Sequence, residues 1–147
     1  MLSMTILANF FISMWLWLFV GGMYQLFVSF IFMVLLMKLI MRLNLVNLLF
    51  LTLGAHLFSL LMLTALYGAV HSIFGYNYVS LGEAYEKGYS ILNACITLGL
   101  VSTVFQAFFF RMLRCYQHIR LHHMLSIVFL SNMAGAFITY WSSPPLF

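Results

Sequence analysis

MLSMTILANFFISMWLWLFVGGMYQLFVSFIFMVLLM, residues Met1 to Met37, contains no Asp, Glu, Lys, Arg or His. A second stretch, Leu43 to Gly82, is interrupted only by His56 and His71. Across all 147 residues, 5% are charged and 65% hydrophobic, too few polar groups to cover a water-soluble surface. The chain therefore reads as an all-α, polytopic transmembrane helix bundle. An apolar helix needs about 20 residues to cross the hydrocarbon core. The length thus holds four or five crossings in one membrane unit, with no soluble domain.

Four spans are drawn from the apolar runs: Gly22 to Met41, Leu45 to Ala69, Ser90 to Phe110 and Met124 to Trp141. Residues 1–20 form an apolar N-terminal helix with two possible placements. In the first it inserts, and Gly21-Gly22 turns the chain into a tight hairpin. In the second, Thr5, Asn9 and Ser13 mark one face of a helix lying in the interface plane, although that face carries no charge. The N-terminus lacks the basic region of a cleaved signal peptide, so residues 1–20 are expected in the mature chain.

Basic residues set the expected orientation. Lys38 and Arg42 close one span, and Arg111, Arg114 and Arg120 lie between two later ones, which places both clusters on one face of a four-span bundle. By the positive-inside tendency that face is cytoplasmic or its equivalent. Glu83, Glu86 and Lys87 fall on the other face with Ser142-Ser143-Pro144-Pro145, and Tyr76, Tyr78, Tyr85, Tyr89, Tyr140 and Trp141 gather there as an aromatic belt. The formal charge of +4 is scattered beside apolar runs and makes no phosphate-binding face, so nucleic acid is not an expected partner.

Small or weakly polar residues recur every four positions in three spans. Thr64, Gly68 and Ser72 share a stripe with His56; Cys95, Gly99, Thr103 and Ala107 form another; Ser131, Gly135 and Thr139 a third. In lipid such stripes let backbones approach and hydroxyls bond across helices, so they are expected to be the bundle's packing seams. A pore wall is the functional alternative.

His56, at mid-span, should face the bundle or an aqueous cavity. It is expected to bond to Thr97, Thr103 or Asn132 on a neighbouring helix. His56 and His71 also stand about 22 Å apart by helical rise, a spacing that two haems on one helix would need. Partner ligands are scarce, since His118, His122 and His123 cluster at the basic end. His118 and His122 are four apart and could present two nitrogens to a metal, with only Cys115 nearby. A basic juxtamembrane helix meeting anionic headgroups is the plainer reading of that segment, and Cys115 would also suit palmitoylation. Cys95 and Cys115 lie too far apart in this topology for a disulfide. Glu83 and Lys87 form a favourable pair at the start of the third span, though Glu83, Glu86, Lys87 and His71 could also ring an ion mouth in an oligomer. Hydrolytic triads, phosphate loops and paired intramembrane carboxylates are absent.

These readings point to a non-catalytic, cofactor-free membrane subunit that packs, in the lipid bilayer, against other membrane subunits or copies of itself. A small channel or transport subunit that forms its path on oligomerising is the alternative. A haem-binding anchor of a redox complex is third.

Overall fold

The computed structural model describes Met14, residues 17–74, residues 91–113 and residues 120–142. Four helices account for nearly all of them: α1 (Met23–Met41), α2 (Leu45–Phe74), α3 (Ile91–Met112) and α4 (Leu121–Ser142). A wide π-helical turn, Leu18–Gly22, leads into α1 without a break. Each helix contains a segment long and apolar enough to cross a membrane. No strand occurs among the described residues.

The helices run up, down, up, down around a closed ring. α4 packs most extensively on α1 and α3, and α2 completes the ring against the same two. Two apolar clusters fix the alternation. At one end Met33, Val34 and Met37 of α1 meet Leu48 and Ala55 of α2, Phe110 of α3 and Met124, Ile127 and Val128 of α4. At the other, Met14, Trp17, Leu18 and Leu26 meet Leu63 of α2, Ala94, Cys95 and Leu98 of α3 and Ala136 of α4. Late residues of α1 and α3 thus share an end with early residues of α2 and α4.

The outside of the bundle is as apolar as its inside. Leu39 is 80% and Phe50 72% exposed, and Phe27, Leu35, Leu61 and Val104 also face outward. Polar side chains sit instead in the interior, among them Gln25, Thr52, Ser59, Gln106 and Asn132. This inversion suits a solvent of hydrocarbon rather than water.

The structure alters the expected boundaries. No hairpin forms at Gly21-Gly22: the chain passes through helically, with Gly22 at φ −64° and ψ −32°. The missing side chain at Gly21 serves a close approach instead, because a Cβ there would come within 2.6 Å of the Trp17 ring. The second span keeps its expected bounds, Leu45 to Ala69, within a helix that continues to Phe74, while α3 reaches Met112 and α4 starts at Leu121 rather than Met124. Hydropathy marks where lipid ends, whereas helical hydrogen bonding continues into the interface. Thr5, Asn9 and Ser13 lie outside the described residues, as do Glu83, Glu86, Lys87, Tyr76, Tyr78, Tyr85 and Tyr89, and Arg114, Cys115 and His118.

The link between α1 and α2 is three residues long. Arg42 adopts the left-handed conformation at φ 52° that closes many helix C-termini. The Lys38 ammonium donates to the Leu43 carbonyl at 2.7 Å, and the Asn44 side-chain oxygen accepts from the Val46 amide at 3.3 Å. Asn44 therefore caps the new helix in the usual way for that residue type.

Candidate functional site: a polar layer inside the bundle

A layer of buried polar side chains lies between the two apolar clusters, and three of the four helices are tied together through it or at its edge. Near the π-helical turn the Trp17 indole donates to Gln25 Oε1 at 3.0 Å. The Gln25 amide donates in turn to the Cys95 carbonyl at 2.7 Å, joining α1 to α3. Deeper in, Asn132 Nδ2 on α4 donates to Thr103 Oγ1 at 3.0 Å and to Gln106 Oε1 at 2.8 Å, both on α3. Thr103 passes its own proton to the Gly99 carbonyl at 2.7 Å. All of these groups are buried, where an amide left without partners would be costly.

His56 is 8% exposed, with its ring edge against Phe30 at a centroid distance of 5.6 Å and an interplanar angle of 81°. Its Nδ1 meets the Thr52 carbonyl one turn earlier at 2.9 Å. A carbonyl can only accept, so Nδ1 donates, and Nε2 of the neutral ring is left as an acceptor. The expected partners on other helices are not used. Asn132 and Thr103 are engaged with each other, and Thr97 Oγ1 donates to Asn93 O on its own helix at 2.7 Å.

Small residues let α4 approach its neighbours. A Cβ at Gly99 would lie 2.6 Å from Met133 Cε and 3.3 Å from the Asn132 carbonyl. One at Gly135 would strike Ser29 Oγ and stand 2.8 Å from the Gln25 carbonyl. Cys95, Thr103, Ala107, Ser131 and Thr139 are buried beside them. The stripe of α2 divides. His56 points inward with Leu48, Thr52, Ala55, Ser59 and Leu63. Thr64, Gly68 and Ser72 are exposed, and no described atom lies within 4 Å of a Cβ at Gly68. No described residue covers them, because they lie on a different face of α2 from the inward row that runs through Leu63 to the half-buried Leu66 and Tyr67.

Basic residues collect at one end. Lys38, Arg42, Arg111 and Arg120 are all exposed where the first apolar cluster lies, and His122 and His123 stand beside them with ring centroids 4.2 Å apart. No group of three or more His, Cys, Asp or Glu side chains capable of holding a metal is found among the described residues.

Gln25 and Gln106 are the members of the polar layer that the sequence reading passed over. Each is an isolated amide in an apolar run, and an amide in lipid must find a partner. That signal was available; a search for four-residue stripes of small residues does not register it.

Comparison with protein-family models, with curated proteins and with solved structures finds no match to this chain.

Proposed function

We propose that this chain is a non-catalytic membrane subunit that docks partner helices along the outer half of α2. The observation that carries this reading is the exposed Thr64, Gly68 and Ser72 stripe, which no described residue covers. Thr64 Oγ1 donates to the Leu60 carbonyl at 2.9 Å and Ser72 Oγ to the Gly68 carbonyl at 2.8 Å, so their hydroxyls are already engaged within α2. What remains is a shallow, small-residue face of the kind that lets two helix backbones approach in lipid. α2 is also the longest helix, 30 residues or about 45 Å by rise, and it keeps a third of its apolar span buried, less than any other helix.

Purification of the full chain from its native membrane in mild detergent tests the proposal. Stoichiometric companion subunits, lost in Gly68→Leu while the helical content and unfolding midpoint stay unchanged, are the expected result. Recovery of the wild type and the variant in the same uncomplexed state would end the proposal.

A second reading, a transport subunit, draws support from the polar layer at mid-depth. Against a path within one copy stand the two apolar clusters on either side, where Met33, Met37, Leu48, Phe110 and Val128 are at most 1% exposed at one end and Leu63, Cys95, Leu98 and Ala136 likewise at the other. Solute or proton flux in vesicles reconstituted with the pure chain would favour this second reading over the first.

A further inference from the structure

Most hydroxyls in this bundle are satisfied by their own helix. Ser29, Thr52, Thr103 and Ser131 each donate to the carbonyl one turn earlier, a common arrangement for membrane helices. Ser59 and Ser102 do not. Both are 0% exposed, and neither hydroxyl has a hydrogen-bond partner among the described residues. Three more buried atoms share this condition: His56 Nε2, Gln106 Nε2 and Asn132 Oδ1.

The register of the helices puts these five atoms at a similar depth in the bundle. Ser102 and Gln106 are one turn apart on α3, and Asn132 is bonded directly to Gln106. On α2, His56 and Ser59 lie on the same inward face. The contact of Gly54 with the Phe109 ring sets the antiparallel register of α2 on α3. Counting on from that contact brings His56 alongside Gln106 and Ser59 to within about one helical turn of Ser102. Packed helix axes stand roughly 8–10 Å apart, a separation that side chains as short as serine do not bridge alone.

We propose that this layer is an occluded binding site for water, a small cluster bridging His56 Nε2, Ser59 Oγ and Ser102 Oγ to the Gln106–Asn132 amide pair. The donor and acceptor complement is balanced. His56 Nε2 and Asn132 Oδ1 accept, Gln106 Nε2 donates, and each serine hydroxyl does either. A buried water is held by two to four such partners. An uncharged occupant follows from the surroundings, because the described basic residues are all at the end of the bundle and no carboxylate is among the described residues. The apolar clusters above and below close the layer off, so the water is retained rather than conducted.

Solid-state NMR on the full chain in lipid bilayers, combined with unfolding measurements, tests this. Ala55-His56 is the single Ala-His pair in the sequence, so carbonyl-labelled alanine with ¹⁵N-labelled histidine assigns His56 without any substitution. Magnetisation from water should reach the His56 imidazole faster than the methyl groups of Leu63 and Val128, and this advantage should be lost in the Ser59→Ala, Ser102→Ala double variant. Each single serine variant should lower the unfolding midpoint. Transfer to His56 no faster than to those methyls would overturn the site. So would a raised or unchanged midpoint in both alanine variants, the outcome for hydroxyls buried dry, whose removal relieves an unmet group.

Discussion

Gly135 of α4 lies so close to Ser29 of α1 that a methyl group at position 135 would collide with the Ser29 hydroxyl and stand 3.1 Å from its amide nitrogen. Two of the atoms it would meet are backbone, the other being the Gln25 carbonyl oxygen at 2.8 Å, so the strain has no flexible side chain to absorb it. Gly135→Ala should therefore destabilise the bundle by about 1–3 kcal/mol through overpacking. Gly99→Ala should cost less, because the nearest atom there is the mobile end of Met133, and Gly68→Ala should leave the isolated fold unchanged. Helicity followed through a denaturing-detergent titration ranks the three. Equal midpoints for Gly135→Ala and Gly68→Ala would remove the α1–α4 approach from the account.

Asn132 holds α4 to α3 by donating to both Thr103 and Gln106. Replacing it with alanine strips Gln106 Oε1 of the one donor it has among the described residues, and replacing Gln106 as well removes the group left wanting. A double-mutant cycle of Asn132→Ala with Gln106→Ala should give a coupling of about 0.6 kcal/mol, the average for interhelical hydrogen bonds in membranes, and no more than about 1.7 kcal/mol. Strict additivity would show that the amide pair contributes nothing between them.

The four long helices were legible because their identity rests on composition: a bilayer-length run without charge admits few alternatives. Seams were harder to read. Gly99 and Gly135 stand where the four-residue spacing placed them, against another helix, yet the same spacing drew Thr64, Gly68 and Ser72, which no described residue covers. Periodicity reports that a face exists; which neighbour covers it depends on helix length and register. The inward face of α2 runs on from Leu63 through the half-buried Leu66 and Tyr67, and Thr64, Gly68 and Ser72 lie on another face of the same helix. His56 illustrates a second limit. Its depth was readable, but its bond to Thr52 is local, and no cross-helix partner could be chosen from sequence once Asn132 and Gln106 had each other. The hairpin, one of two placements open to residues 1–20, does not form at Gly21-Gly22 because glycine signals either a turn or a close approach, and here the ring of Trp17 takes the space.

Arg42 is the one non-glycine residue among those described with a positive φ. A left-handed residue with a Cβ is strained by roughly 1–2 kcal/mol, and branching at Cβ raises the penalty. Arg42→Gly should leave stability equal or slightly higher, whereas Arg42→Val should lower it, since the Lys38 bond to Leu43 and the Asn44 cap persist in both. Unfolding midpoints decide this. A valine variant as stable as the glycine variant would mean that the turn does not require the left-handed state.

Orientation can be tested at two exposed residues on opposite ends of the bundle, Asn47 in the first turn of α2 and Ser142 in the last turn of α4. Lys38, Arg42, Arg111 and Arg120 share the Asn47 end, and an excess of Lys and Arg marks the cytoplasmic side of membrane proteins. With Cys95 and Cys115 replaced by serine, a membrane-impermeant maleimide applied to sealed vesicles of known sidedness should label Asn47→Cys from the cytoplasmic side and Ser142→Cys from the other. Labelling of both from one side would contradict the up-down order of the helices. The reversed pattern would keep that order and show instead that the basic end faces outward, which would remove the charge argument for orientation.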